Sequence, residues 1–397
     1  MGSEPSARSR TAQTAGYFVA FLVFGMGVAA LGPALPRLAE NTGTTLSQVS
    51  LVFTTAAAGY LLGSLAAGAL FDRLPGHWVL GAVLVLMAGM AALIPIAASL
   101  WLLTLLFLFF GVAQGLVEVG CNTLLLWVHT DRAGPFMNAL HFFFGAGALL
   151  APVAIALATR RPAAVPGSVA GGLTWFFWPF SLLVLPVAVW LLVLPSPRRS
   201  AAQAVGRRVR ASTLLVALVA VFFFLYAGVE HSFAGWIPSY AQAAQMASGS
   251  GAAYFASAFW AAITVGRFLA VPESARFRPQ TIVTTALVGC LLSVAVVLLW
   301  PGIGWVLWLA TLGLGLSLAA IIPTMLALVG RRVGTTSQST AWLFVGLGVG
   351  KMTIPWTIGQ FFESVGSQSL FVVIGLGLVA ALGLFSVLAV VKTPTPG

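Results

Sequence analysis

Apolar runs long enough to cross a membrane recur along this chain from Gly16 to Val391. A helix needs about 20 consecutive apolar residues to span the hydrocarbon core of a bilayer. Windows of that length predict about twelve helices, at 16–38, 47–71, 78–100, 102–127, 136–158, 173–194, 213–240, 252–271, 282–299, 303–329, 337–361 and 370–391. Charge is scarce between them. Charged residues make up 7% of the chain and mean hydropathy is +1.03, whereas a soluble chain carries about 25% charged residues. A water-facing surface cannot be built from so few, so the expected fold is an all-α membrane protein. Cys121 and Cys290 both lie inside apolar runs and set up neither a disulfide framework nor metal-ligand spacing.

The basic residues alternate with the spans. One set of loops and tails holds Arg8, Arg10, Arg73, Arg132, Arg198, Arg199, Arg207, Arg208, Arg210, Arg276, Arg278, Arg331, Arg332 and Lys392, and the other holds Arg37, Arg160 and Arg161. Lys and Arg accumulate on the cytoplasmic side of membrane proteins. The net charge of +11 therefore reads as a topology signal, not as a nucleic-acid footprint. Both termini are expected in the cytoplasm, in the plasma or inner membrane. The polar stretch before Gly16 lacks a cleavage-type signal and is expected to be a cytoplasmic tail. A basic, Pro/Ser/Ala-rich connection divides the chain into 1–195, a cytoplasmic linker 196–212, and 213–397.

The two halves resemble each other. Gly145, Gly147 and Pro152 in span five recur as Gly348, Gly350 and Pro355 in span eleven, at an offset of 203. Leu35-Pro36-Arg37-Leu38-Ala39 aligns with Ile237-Pro238-Ser239-Tyr240-Ala241 at an offset of 202. Two matches at nearly one offset predict duplicated, pseudo-symmetric six-helix bundles. Such parallel halves are the layout of major facilitator transporters, whose substrate site lies at midplane. The loop after span two, Gly68-Ala-Leu-Phe-Asp72-Arg73-Leu-Pro-Gly76, is similar to that superfamily's G-x3-D-R/K loop. It departs by a displaced glycine and by His77 standing where basic residues trail. The resemblance implies that Asp72 and Arg73 gate the conformational change; otherwise they form a solvated turn. Four segments narrow the likeness: Leu31 to Leu35 with Gln48 to Phe53, Gly120 to Trp127, Asn138 to Gly145, and Tyr226 to Glu230 leading to Gly235-Trp236-Ile237. Together they resemble the sugar-transporting branch that includes fucose permeases and the sodium-dependent glucose transporter-like group.

Ionisable groups inside a membrane are costly unless paired or wetted, so they are functional candidates. Gln114, Glu118 and Asn122 in span four are four residues apart and share one helix face. That stripe reads as a proton or cation site with amides for hydroxyl recognition, or else as a helix-packing network. Asn138 and His141 share a face of span five, and His141 either meets substrate, joins a proton relay or is a satisfied structural histidine. In span seven Glu230 shares a face with Tyr226 but not with His231. If Glu230 faces a central cavity, His231 points to a neighbouring helix. In fucose permeases a carboxyl in span one works with one in span four. Span one here has no acid, so the family's coupling scheme does not transfer whole. Lys351 in the middle of span eleven needs a partner, and Glu118 and Glu230 are the candidate carboxylates. Arg267 either snorkels or serves an eroded second copy of the loop motif. Trp236, Trp260 and Trp342 are candidates for stacking on a sugar ring, against the alternative of plain packing.

These residues and the resemblance lead to secondary active transport of a small polar solute, a hexose-type sugar first, by alternating access. Coupling is expected to protons, with sodium as the alternative ion and no other cofactor or metal. The chain is read as a monomer in the lipid bilayer. Two other readings stay open: an exporter or flippase of an amphipathic compound, and a non-transporting sensor or scaffold. The sequence has neither a phosphate-binding glycine loop followed by Lys-Ser/Thr nor a catalytic cluster, so an enzyme is not expected.

Overall fold

The computed structural model describes residues 7–130, 133–162, 171–197, 213–333 and 337–390. Among them every regular element is helical. That suits a bilayer, where no water is available to bond a backbone left open. The helices are α1 (Ala7–Thr42), α2 (Leu46–Val49), α3 (Leu51–Arg73), α4 (Gly76–Leu93), α5 (Leu100–His129), α6 (Ala133–Ala158) and α7 (Thr174–Val193). They continue as α8 (Thr213–Ala243), α9 (Gly249–Arg276), α10 (Pro279–Leu299), α11 (Gly304–Ala319), α12 (Ile321–Val333), α13 (Ser337–Phe362) and α14 (Ser369–Val390). Among the described residues, eleven stretches are long and apolar enough to cross a membrane, and α13, with 26 residues, is of similar length. Linker residues 198–212, Arg132 and Lys392 lie outside the described residues.

Two spans differ from the apolar windows. Span ten is not one helix: α11 ends and α12 begins on either side of Ala320. Pro323 supplies the reason, since it has no N–H for the Ala319 carbonyl four residues back. Span two opens with the one-turn α2, closed by a capping box. The Thr45 hydroxyl accepts the Gln48 N–H at 3.2 Å, and the Gln48 side chain accepts the Thr45 N–H at 3.1 Å.

The chain divides into two compact units, Met1–Val205 and Gly206–Gly397. Glycine sets the closest helix contacts in each. In the first unit, Gly59 and Gly63 of α3 face the Leu108 and Val112 carbonyls of α5. In return, Gly111 and Gly115 of α5 face the Ala56 and Tyr60 carbonyls of α3. A Cβ at any of the four would overlap backbone. Small residues four apart permit this approach in membranes, where packing and not hydrophobic burial holds helices together. Gly25 and Gly147 clamp α1 on α6 likewise, against the Phe144 and Leu22 carbonyls.

In the second unit, Gly346 and Gly350 of α13 rest on the Ala220 and Phe224 carbonyls of α8, and Gly228 of α8 meets the Ile354 side chain. The helices run side by side in constant register. Gly315 of α11 sits on the Phe259 carbonyl of α9. The contact of Leu22 with Gly147 therefore recurs as Phe224 with Gly350, and that of Ala56 with Gly111 recurs as Phe259 with Gly315. The shift is 202 to 204 residues.

Candidate functional site

Glu118 lies in the middle of α5, one turn beyond Gly115. Because Gly115 lets the Tyr60 backbone come into contact, the Tyr60 side chain reaches along the same groove. Its hydroxyl donates to Glu118 Oε2 at 2.6 Å. Asn122 donates its Nδ2 to the Glu118 backbone carbonyl at 2.8 Å. Gln114 is buried and points toward α1, where its Nε2 comes against the Cα side of Gly27. The stripe thus fans out: Gln114 is built into the α1 contact, while Glu118 and Asn122 stay half-buried. Tyr60 is absent from the residues singled out in the sequence. Its signal was there, as a hydroxyl inside an apolar span next to Gly59.

On α6, Asn138 is exposed and His141 half-buried, with its ring edge-on to Phe21 at 5.7 Å between centroids.

In the second unit Tyr226 is buried. Its hydroxyl lies between the Glu230 carboxylate and the Leu318 carbonyl at 3.4 Å, with Arg267 and Cys290 within electrostatic reach. Leu318 belongs to the last turn of α11, so the break in span ten stands beside this tyrosine. Glu230 and His231, expected to point to different neighbours, come within 3.9 Å of each other (His231 Nδ1 to Glu230 Oε2) but differ in exposure. The Glu230 side chain is 8% exposed and that of His231 is 23%. His231 Nδ1 is 3.1 Å from the Ala227 carbonyl, which can only accept, so this nitrogen carries the hydrogen. The Lys351 charge acts on the same ring. That proximity follows from the register of α13 on α8.

The candidate tryptophans separate. Trp236 is fully buried, donates its indole N–H to the Pro355 carbonyl at 2.9 Å and lies on Phe362 at 4.8 Å. Trp260 is buried edge-to-face with Phe259, and Trp342 is 55% exposed.

At the corner between α3 and α4, Asp72 and Arg73 are exposed beside a cavity of about 920 Å³ lined also by Trp78 and Trp127. His77 does not stand there as a surface cation. It is buried, with Nδ1 donating to the Leu194 carbonyl at 3.0 Å and Nε2 accepting the Tyr17 hydroxyl at 2.7 Å. Its backbone N–H donates to Ser196 Oγ at 3.1 Å, and Gln13 Nε2 donates to the Pro195 carbonyl at 2.8 Å. This corner ties 194–196 to α1 and α4.

Comparison with known proteins agrees with this architecture. The Major Facilitator Superfamily profile matches residues 17–344. A mouse protein named sodium-dependent glucose transporter 1A is 33% identical over 86% of this chain and 88% of its own. A zebrafish (Danio rerio) protein named major facilitator superfamily domain-containing protein 4A is 26% identical over 91% of this chain and 84% of its own. Among solved structures, the nucleoside transporter NupG superposes with a TM-score of 0.75 at 14% identity, covering 97% of this chain and 100% of that one. A D-xylose-proton symporter superposes with a TM-score of 0.72 at 14% identity, covering 94% and 97%. At such identity these two establish the fold alone.

Proposed function

The chain belongs to the Major Facilitator Superfamily and is an integral membrane transporter, not an enzyme; from that premise we propose that it moves a hexose-type sugar by alternating access, driven by a proton bound at Glu118. The observation that carries this reading is the Glu118 carboxylate itself. It is half-buried mid-helix, accepts the Tyr60 hydroxyl and shares its helix face with two amides. An anion in a membrane-spanning helix resists transfer to drier surroundings until it is neutralised. A proton neutralises it and allows the halves to rock; sugar binding is then linked to proton binding through that one group. The amides of Asn122 and Asn138 carry both donors and acceptors, as sugar hydroxyls require, whereas Gln114 is taken up by the α1 contact. Glu230 and Lys351 form a second charged group in the other unit, and Asp72 and Arg73 brace the closed state at their corner.

Sodium coupling is the second reading, supported by the names of the relatives and by the oxygen ligands of Glu118 and Asn122, which suit a hard cation. Uptake of radiolabelled glucose and other hexoses into proteoliposomes, under separate proton and sodium gradients, tests both. Proton-driven accumulation is expected. Accumulation under sodium alone would favour the second reading, and the absence of any sugar movement, counterflow included, would overturn the sugar assignment.

A further inference from the structure

We infer that Tyr60 is a positioning residue that sets the proton affinity of Glu118, an inference that rests on Glu118 being the coupling carboxyl. Among the described residues the Glu118 carboxylate takes one side-chain hydrogen bond, and Tyr60 gives it, at 2.6 Å. The hydroxyl keeps its own hydrogen throughout. It donates to Oε2 of the anion, and when an incoming proton occupies the carboxyl it still donates, but to a neutral acceptor. A hydrogen bond to an ionised acceptor is roughly twice as strong as one between neutral groups. The bond therefore differs in strength between the two states of the carboxyl.

The placement is fixed by the backbone. Gly111 and Gly115 are pressed against the Ala56 and Tyr60 carbonyls, and Gly59 and Gly63 against Leu108 and Val112. Tyr60 and Glu118 thus belong to one clamped helix pair inside one unit, and they move together. Other described titratable or charged groups on the helices packed against α5 in this unit have partners of their own or stand toward helix ends. Tyr17 of α1 and His77 of α4 bond each other, and His141 of α6 is edge-on to Phe21. Asp72 and Arg73 stand at the end of α3, Arg10 lies near His129, and Arg37 is paired with Glu40.

The test is the pH profile of gradient-free sugar counterflow in proteoliposomes for wild type, Tyr60→Phe and Glu118→Gln. Glu118→Gln is expected to flatten the profile. Tyr60→Phe is expected to move its midpoint by roughly one pH unit, a tenfold change in proton affinity, with the same shift for influx and efflux. A flat Glu118→Gln profile with an unmoved Tyr60→Phe midpoint would overturn the role of Tyr60 and leave Glu118 standing. A wild-type profile in Glu118→Gln would overturn the coupling assignment itself. A measurement on the unaltered protein stands beside the variants. In infrared difference spectra, a tyrosine C–O band is expected to titrate with the same midpoint as the protonated-carboxyl band. A carboxyl band that titrates with no tyrosine response would overturn the inference.

Discussion

A carboxylate in a transmembrane helix is answered by different neighbours at Glu118 and at Glu230. Glu118 stays half-buried and takes one hydroxyl. Glu230 is buried beside Tyr226 and has His231 Nδ1 at 3.9 Å from its Oε2, while Tyr226 in turn meets the end of α11 and the charge of Arg267. Both glutamates were legible in the sequence, because charge inside an apolar run stands out. Tyr60 was not, because which residue of span two meets span four depends on how deep the glycines let the helices settle. Lys351 is legible on the same ground as the glutamates. Its neighbourhood with His231 comes from the register of α13 on α8, which no single span reveals. Removing one partner of a buried pair leaves the other charge uncompensated. Lys351→Ala is therefore expected to lower the thermal unfolding temperature by several degrees, and adding Glu230→Gln is expected to restore most of it. Failure of the double variant to recover would exclude Glu230 as the partner.

At the scale of elements, spacing of apolar windows gave the helix order correctly, while interruptions needed local chemistry. The break at Ala320 follows from Pro323, yet Pro152 and Pro355 sit inside unbroken helices. A proline alone therefore does not locate a break. The glycine pattern in spans five and eleven is explained by the helix pairs it serves: Gly147 and Gly350 meet the α1 and α8 backbones. Gly115→Val places a Cβ on the Tyr60 carbonyl and is expected to cost about 1–3 kcal/mol or more in stability, as overpacking does. Gly89→Ala, where nothing lies within 4 Å of the added carbon, is expected to leave stability unchanged or raised. Equal unfolding temperatures for the two would contradict the clamp. His77→Ala leaves the Tyr17 hydroxyl and the Leu194 carbonyl without their partner. It is expected to expose 194–196 to limited proteolysis before the helices unfold; unchanged protection would mean the tie is incidental.

For the whole molecule, the repeat, the membrane class and the superfamily all follow from the sequence, because each depends on patterns spread over many residues. The expected topology rests on the same kind of pattern. Cysteines introduced at Ser3 and Arg161 are expected to fall on opposite sides of the membrane, Arg161→Cys labelled by an impermeant reagent on intact cells and Ser3→Cys only after permeabilisation. Cys121 and Cys290 are buried and give no background. The substrate is less legible, since sugar recognition rests on a few amides and rings whose roles change with small differences in packing. Trp236 illustrates this, with its N–H and one ring face taken up by α13. The central claim is that Glu118 links the ion to the sugar. It is tested most directly by Glu118→Gln in proteoliposomes, comparing gradient-driven hexose accumulation with equilibrium counterflow. Counterflow retained with accumulation lost is the predicted result; accumulation equal to that of the unaltered protein would contradict it.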